Sequence, residues 1–237
     1  MKGKQSPSEE HKEHPVITKL DVTTDTITSR GGLNLLVKYL DTIGVYSLLL
    51  SRFGWFRKSR KGAAIETLFR QILCFFFDGT SSHVSYFDHL KRDEGYAAII
   101  ETAHDKMVSS HQVKRFFSRF SFVCSKSFRW ILKGLFLWRL LIENPSLLIF
   151  TLDTQVLDND DALKRQGVSV SYKRKKGFQP LHLLWNGKII DALFRGGSTH
   201  GNNGQGARTM LTEMVRFIRK HYSQSVPIWN EAGQWVL

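Results

Sequence analysis

The sequence has 237 residues, with 34 Lys and Arg against 21 Asp and Glu, and its formal net charge at pH 7 is +13. This charge excludes an acidic, solvating protein, and a hydrophobic content of 42% excludes a chain that is disordered throughout. The surplus of positive charge favours a polyanionic partner, nucleic acid before a membrane. Cys74 and Cys124 form no CxxC or Cys/His pattern, so neither a disulfide framework nor a zinc module is indicated. The sequence has no uncharged apolar run of about 18 residues and no apolar signal segment, so we expect a cytoplasmic protein that does not enter a membrane.

Composition and periodicity divide the chain into three parts. Residues 1–27 mix Lys, Glu, Ser and Pro without periodicity and are expected to be a disordered lead-in. Residues 28–144 have a helical pattern, because apolar residues recur at helical spacing over 33–45 and again over 65–76. The pattern then changes to that of strands, which predicts a second domain over 145–237.

A basic and aromatic segment, residues 51–61, lies between the two predicted helices. It interleaves Phe53, Trp55 and Phe56 with Arg and Lys residues. Such a segment can grip phosphates and stack on bases, or it can be a solvated loop whose aromatic residues anchor a core. The sequence alone favours neither interpretation.

The strongest local charge lies between Lys106 and Ile142, where no acidic residue occurs. Eight positive residues give this stretch a local charge of +8: Lys106, Lys114, Arg115, Arg119, Lys126, Arg129, Lys133 and Arg139. Ser109 or Ser110 is a suitable N-cap for a helix at its start. We therefore predict a basic helix directly after these serines.

This helix is predicted to have an apolar side and a basic side. The residues expected to face a core are Val113, Phe116, Phe117 and Phe120, and those expected to face outward are Lys114, Arg115 and Arg119. A short helix over 96–102 would complete a helix-turn-helix-like unit. The alternative is a helical bundle with a basic outer face. DNA contact through the three outward residues is favoured, because an ordinary surface of this size carries both signs of charge.

The second domain is predicted to have the element order β-β-β-α-β. Its elements are a buried strand over 147–152, a polar and basic excursion over 154–177, strands over 178–185 and 188–194, a helix with Met214 and Ile218 on its apolar face, and a strand from Val226. Asn186-Gly187, between the two middle strands, is the strongest sequence signal for a type I′ hairpin. The first strand ends in Asp153, as a central strand does when it presents a carboxylate at its end.

A carboxylate at the end of a central strand, beside a basic helical half, suits metal-dependent chemistry on a phosphodiester. Such chemistry needs at least two convergent carboxylates, and the nearby candidates are Asp158, Asp160, Asp161 and Asp191. The first three lie in one cluster without the Gly and distal Glu of a calcium loop, which favours a solvated turn or a helix cap. Asp191 lies within a predicted strand, and its neighbours allow either face.

Other polar features of this domain have weaker signals. The Gly-rich stretch 195–204 lacks the Gly-Lys-Ser/Thr ending of a P-loop, and we expect a flexible loop. His182 and His200 have no ligand partners at suitable spacing, which favours a structural or solvent-facing role. A positive run lies on the excursion that directly follows the Asp153 strand, and it consists of Lys173, Arg174, Lys175 and Lys176. It is predicted to contact the DNA backbone, the alternative being a charged exposed loop.

Four blocks of sequence carry a resemblance to a known family. They are Thr151–Asp160, Lys164–Gly167, Tyr172–Leu181 and Asp191–Ser198. In this order they resemble a bacterial insertion-sequence transposase of the DDE type, in the first transposase DDE domain group. The start of that family is similar to Ile27–Leu33, so the resemblance covers about residues 26 to 228.

The resemblance implies a fold and an activity. The expected fold class is α+β or α/β, with an N-terminal helical DNA-binding region followed by an RNase H-like core. The implied activity is Mg²⁺-dependent cutting and joining of the ends of a mobile element. The implied partners are double-stranded DNA of the terminal repeats and of the target, which would associate the protein with the nucleoid. Whether the chain forms a homo-oligomer stays open.

Carried over by residue, Asp153 matches the first catalytic Asp of the family and is implied to be a metal ligand. The second Asp of the family follows the last predicted strand in a motif resembling Arg-x-Asp-Ser-Gly-Phe, which this sequence lacks. Glu231 matches neither the spacing nor the neighbours of that motif. We therefore expect an incomplete RNase H-like core in a C-terminally truncated copy that is inactive alone. The alternatives are a non-catalytic DNA-binding remnant or competitor at element ends and, less favoured, an RNase H-like nuclease unrelated to transposition.

Overall fold

The computed structural model describes residues 28–56, 62–121, 123–160, 168–199 and 206–230. Predictions about the lead-in, the basic end of the 51–61 segment, Asp161, His200 and Glu231 lie outside these residues. Within them the chain is a mixed helix and sheet protein, which confirms the expected α+β class. The RNase H-like assignment stays a prediction.

The helices lie mostly in the first half of the chain. They are α1 Gly32–Thr42, α2 Val45–Phe53, α3 Ile65–Asp78, α4 Phe87–Leu90, α5 Glu94–Ile99, α6 Ser110–Phe117, α7 Cys124–Glu143 and α8 Ala207–His221. No single helix of the described residues has the length and apolar composition to cross a membrane, and one bent pair, α1 with residues 45–56, meets these criteria by length and composition only.

The first predicted helix is divided in two. The helical spacing over 33–45 predicted one helix, but α1 ends at Thr42 and α2 begins at Val45. Gly44 between them has φ 69°, a left-handed conformation that glycine adopts without steric cost. The prediction of one helix was wrong at this point, whereas the helix predicted over 65–76 is confirmed as α3.

The helices enclose a first hydrophobic core rich in phenylalanine. Phe53 and Phe56 from the 51–61 segment are buried in it, and Phe53 packs against Phe69 with ring centroids 5.4 Å apart. Trp55, between the two, is 69% exposed. The anchoring interpretation is therefore confirmed for Phe53 and Phe56, and Trp55 is the aromatic side chain of this segment that faces solvent.

The strands form two small sheets. They are β1 Leu148–Thr154, β2 Leu157–Asp158, β3 Ser169–Val170, β4 Lys176–Phe178, β5 Leu181–Trp185, β6 Lys188–Leu193 and β7 Ile228–Asn230. The larger sheet has the order β6-β5-β1-β7, with β1 antiparallel to β5 and parallel to β7. The smaller sheet has the order β2-β4-β3.

The predicted hairpin is confirmed, with one difference at its start. Asn186 and Gly187 both have positive φ, 49° and 70°, as a type I′ turn requires, and join β5 to β6. The strand predicted over 178–185 is interrupted at Pro180, where β4 has ended and β5 has not begun. Proline has no N–H for a ladder hydrogen bond, and so the chain passes from the small sheet to the large one at this residue.

One face of the larger sheet packs on α7 and α8 and forms a second hydrophobic core. Strand residues alternate in burial, with Leu148 and Phe150 of β1 buried and Ile149 between them 47% exposed. Phe136 of α7 and Met214 of α8 pack with the buried set. The opposite face of the sheet, which carries Ile149, Asp153 and Ile189, is called the open face below.

Helix α7 connects the two cores. Its first half contributes Cys124 and Ile131 to the helical core, and its second half contributes Phe136 and Leu140 to the core under the sheet. A single helix shared between two cores transmits any tilt of one to the other. This helix therefore sets how the helical half lies relative to the sheet.

A buried ion pair fixes α7 against the sheet. Arg129 of α7 donates from Nε and Nη2 to the two oxygens of Asp191 in β6, each at 2.8 Å, and the Asp191 side chain is fully buried. Nη2 also donates to Glu213 of α8 at 2.9 Å. Lys133 Nζ lies 3.6 Å from Asp191 and 3.4 Å from Glu213. Two cations and two carboxylates thus join α7, β6 and α8.

We expect Asp191→Ala to lower the free energy of unfolding by about 3 kcal/mol, because removal of one partner leaves a poorly solvated charge on Arg129. Urea unfolding followed by circular dichroism measures this. The matched control is Asp105→Ala, which removes an exposed partner of Lys106 and should cost much less. Equal effects of the two substitutions would contradict the role given to the Arg129–Asp191 pair.

Candidate catalytic carboxylate and nucleic-acid interface

Asp153 lies exposed near the end of β1, on the open face of the sheet. β1 lies between β5 and β7 in the sheet, as predicted for a central strand. The Asp153 carboxylate accepts a hydrogen bond from the Thr154 amide at 2.7 Å. Its position leaves it accessible to a ligand that approaches the open face.

Asp191 faces the opposite side of the sheet from Asp153. The register pairs Asp153 with His182, and His182 with Ala192, so these three side chains share one face. Asp191 is paired with Leu183, whose side chain is buried in the core. The sequence allowed either face of the sheet for Asp191, and the register places its side chain on the core face. Asp191 is a structural carboxylate paired with Arg129 and does not converge with Asp153.

The acidic cluster after β1 has the role of a turn. Asp158 Oδ1 accepts a hydrogen bond from the Asp160 amide at 3.0 Å, and Asp160 Oδ1 accepts one from the Lys176 amide at 3.1 Å. Lys175 donates to Asp158, and this hydrogen bond lowers the pKa of the Asp158 carboxyl below its ordinary value. The turn interpretation is confirmed for Asp158 and Asp160.

A complete metal centre is not assembled from the described residues. Among them, no group of three or more His, Cys, Asp or Glu lies close enough to hold a metal ion. Asp153 is the carboxylate on the open face that the sequence singled out, and its role as a ligand stays a prediction.

The basic helix predicted after Ser109 is α6. Ser109 is its N-cap and forms a capping box with Gln112, which confirms one of the two predicted caps. Val113 and Phe116 are buried, but Phe117 is 39% exposed, so its predicted place in the core was wrong. An eight-residue helix has a narrow buried side, and Phe117 lies beside it rather than on it.

The three residues predicted to contact DNA from α6 and its C-terminal end are exposed. Lys114, Arg115 and Arg119 all face solvent, and Arg119 also donates from Nη1 to the Phe56 carbonyl at 2.7 Å. The helix before α6 is α5, Glu94–Ile99, shorter and earlier than the predicted 96–102. Residues 100–109 separate the two, whereas a helix-turn-helix has a turn of about 3–4 residues. A compact helix-turn-helix unit is therefore not formed by α5 and α6.

The second basic run lies at the tip of the β3–β4 hairpin. Lys173, Arg174, Lys175 and Lys176 are all exposed there. The turn is closed by hydrogen bonds from the Arg174 amide to the Ser171 carbonyl at 2.9 Å and from the Ser171 amide to the Lys175 carbonyl at 2.8 Å. Arg174 has φ 59°, so a left-handed residue forms this tip. The hairpin thus presents four positive side chains on a short, hydrogen-bonded support.

Much of the local positive charge over 106–142 is compensated. Arg129 and Lys133 pair with Asp191 and Glu213. Arg139 pairs with Glu143, and Lys106 with Asp105. Sequence reasoning missed these pairs because their acidic partners lie outside the acid-free stretch. Four basic residues of this stretch stay exposed and form no salt bridge with another described residue: Lys114, Arg115, Arg119 and Lys126.

Two glycines allow the hairpin to pack closely on its neighbours. A Cβ atom on Gly177 of β4 would lie 2.1 Å from the Leu157 carbonyl oxygen of β2. A Cβ atom on Gly197 would lie 2.3 Å from the Ser169 carbonyl oxygen of β3. Side chains at these positions would separate backbone segments that are now in contact.

Comparison with known proteins identifies the family. The chain matches the family "Transposase DDE domain group 1" over residues 11–232. The chain therefore belongs to the DDE transposase family, as the resemblance of the sequence blocks indicated. No curated protein and no solved structure gives a significant match. The family supports a transposase role, which implies DNA binding, and DDE transposases generally use a divalent metal ion.

We expect Gly177→Ala to open the β3–β4 hairpin, because the added Cβ would clash with the β2 backbone. Trypsin should then cleave faster after Lys173, Arg174, Lys175 and Lys176, with the fragments assigned by mass spectrometry. Gly134→Ala in α7, where a Cβ meets no atom within 4 Å, is the control. Cleavage at the hairpin that is equal in all three proteins would show that Gly177 does not support it.

Proposed function

We propose that this chain is an insertion-sequence transposase that binds DNA but is inactive alone, with Asp153 as the first metal-binding carboxylate. The observation that supports the proposal is the location of Asp153, exposed near the end of β1 on the open face, in a chain that the transposase family matches over residues 11–232. In this role the domain has an RNase H-like core preceded by a helical DNA-binding region. The element ends and the target would be its double-stranded DNA substrates.

The proposed metal is Mg²⁺, and Asp153 fits it through the chemistry of its donor atoms. Magnesium is commonly held by one or two carboxylates together with substrate phosphate oxygens and water. When bound, Mg²⁺ ions activate a water molecule and stabilise the attacking and leaving oxygens of a phosphodiester. Asp153 would hold the ion through its carboxylate, and the Thr154 amide would keep that carboxylate in place.

The proposed DNA-binding residues are those of α6 and the β3–β4 hairpin. Lys114 and Arg115 have exposed side chains on a helix whose N-terminus is capped and whose opposite side is buried. Lys173 and Arg174 extend from a turn held by two backbone hydrogen bonds. These four side chains form no salt bridge with another described residue, which suits sequence-independent contact with phosphates, whereas Lys175 of the hairpin pairs with Asp158.

The second candidate function is a DNA-binding protein without catalysis. It is supported by the absence, among the described residues, of any cluster of three or more potential metal ligands. A single carboxylate cannot hold the two ions of a phosphodiester-cutting site. In this second function the chain would bind DNA without cutting it and would compete with an active transposase for the same ends.

We expect the double variant Lys114→Glu, Arg115→Glu to bind a short duplex DNA more weakly, because two phosphate contacts are lost. Fluorescence anisotropy over a range of salt concentrations should show the slope of log affinity against log salt reduced by about 2. The control is Arg216→Glu, Lys220→Glu on α8, which makes the same change in net charge with exposed residues. An equal slope change in both variants would remove α6 from the proposed interface.

A nicking assay on supercoiled plasmid tests whether the chain cuts DNA by itself. With Mg²⁺ present, the wild-type chain is expected to nick no faster than Asp153→Asn, because further carboxylates are needed. Asp160→Asn, at a turn residue, is the matched control. Nicking by the wild type and by Asp160→Asn that disappears in Asp153→Asn would contradict the non-catalytic proposal and would show that the chain completes a metal site.

A further inference from the structure

Asp153 and His182 are direct neighbours across two strands. β1 and β5 are antiparallel, and their register pairs Asp153 with His182. The Gln155 amide donates to the Pro180 carbonyl at 3.3 Å, two positions further along both strands, in agreement with this register. Directly opposed residues in an antiparallel pair have Cβ atoms about 4.5–5.5 Å apart. The carboxylate and the imidazole therefore leave the sheet side by side.

Both side chains leave on the open face. In β5, Leu181 and Leu183 are buried in the core, and His182 between them is half-buried on the other side. The sequence favoured a structural or solvent-facing role for His182 because no ligand partner lies near it along the chain. The register supplies that partner from a strand that is distant in sequence.

The surroundings leave the two groups available to a ligand. Neither Asp153 nor His182 forms an ion pair with another described residue. The neighbouring positions on this face are Thr151 in β1, Leu184 in β5 and Ala192 in β6, none of which carries charge. The Asp153 carboxylate accepts only the Thr154 amide among the described residues. No described cation therefore competes with a metal ion for the Asp153 carboxylate.

We infer that His182 is a second metal ligand beside Asp153, and that its imidazole strengthens the binding of Mn²⁺ or Co²⁺ more than that of Mg²⁺. The inference rests on the proposed role of Asp153. Mg²⁺ is bound by oxygen ligands, whereas an imidazole nitrogen suits transition metal ions. For a mixed nitrogen and oxygen site the affinity rises from Mn²⁺ to Co²⁺. His182 thus adds affinity for transition metal ions, while the Asp153 carboxylate binds any of these divalent ions.

Isothermal titration of the purified full chain with Co²⁺ and, separately, with Mg²⁺ tests the inference. Loss of an outer-shell partner costs about tenfold in metal affinity, so loss of a direct ligand should cost at least as much. We expect His182→Gln to weaken Co²⁺ binding by about tenfold or more and Mg²⁺ binding by less than about twofold. Asp153→Asn should weaken both. His104→Gln, at an exposed histidine of the helical half, is the control and should change neither.

A second measurement uses the wild-type chain, so it does not require that the substituted proteins fold. In a proton NMR titration, Mn²⁺ below stoichiometry should broaden the ring resonances of His182 and leave those of His104 sharp. Two outcomes overturn the inference and leave the role of Asp153 intact. One is equal broadening of the His182 and His104 resonances. The other is Co²⁺ binding that is unchanged in His182→Gln but lost in Asp153→Asn. If Co²⁺ binding is unchanged in both variants, the inference and the role of Asp153 are both overturned. The DNA-binding proposal is tested separately, by the salt dependence of DNA affinity.

Discussion

The ion pair between Arg129 and Asp191 is the contact on which the arrangement of this domain depends. It is bidentate, and its carboxylate is fully buried in β6. Because α7 also contributes apolar residues to both cores, the pair fixes the rotation of the helix that joins them. The same contact turns Asp191 away from the open face. Asp153 thus lies on the face of the sheet opposite to that of Asp191.

The elements that the sequence predicted well are those specified by local chemistry. The capped helix after Ser109 and the Asn186-Gly187 hairpin follow from residues that are adjacent in the chain. The sequence did not predict which face of the sheet carries Asp191. A β-bulge opposite Leu183 and Leu184 shifts the register of the hairpin, and no local sequence pattern indicates this bulge. The pairing of His182 with Asp153 was also not predictable from local sequence, because β1 and β5 are separated in the chain by residues 155–180.

The basic residues of the 106–142 stretch also show that local sequence does not reveal contacts with distant parts of the chain. A stretch without acidic residues indicates a positive surface only if no carboxylate from elsewhere in the chain pairs with its basic residues. Arg129 and Lys133 instead meet carboxylates from β6 and α8, so their charge is internal. Lys114 and Arg115 on α6 have no such partner among the described residues and keep their charge at the surface. The basic character of the chain is therefore divided between holding the fold together and facing a polyanion.

We propose that DNA approaches the open face at Asp153 with a divalent ion between them. Fe²⁺ in place of Mg²⁺, with ascorbate and peroxide, produces hydroxyl radicals that cut DNA next to the ion. Bound to a duplex, the wild-type chain should give cuts confined to a few adjacent nucleotides, and Asp153→Asn should give none above background. Cuts of the same position and strength in both proteins, or uniform cutting in both, would contradict the claim.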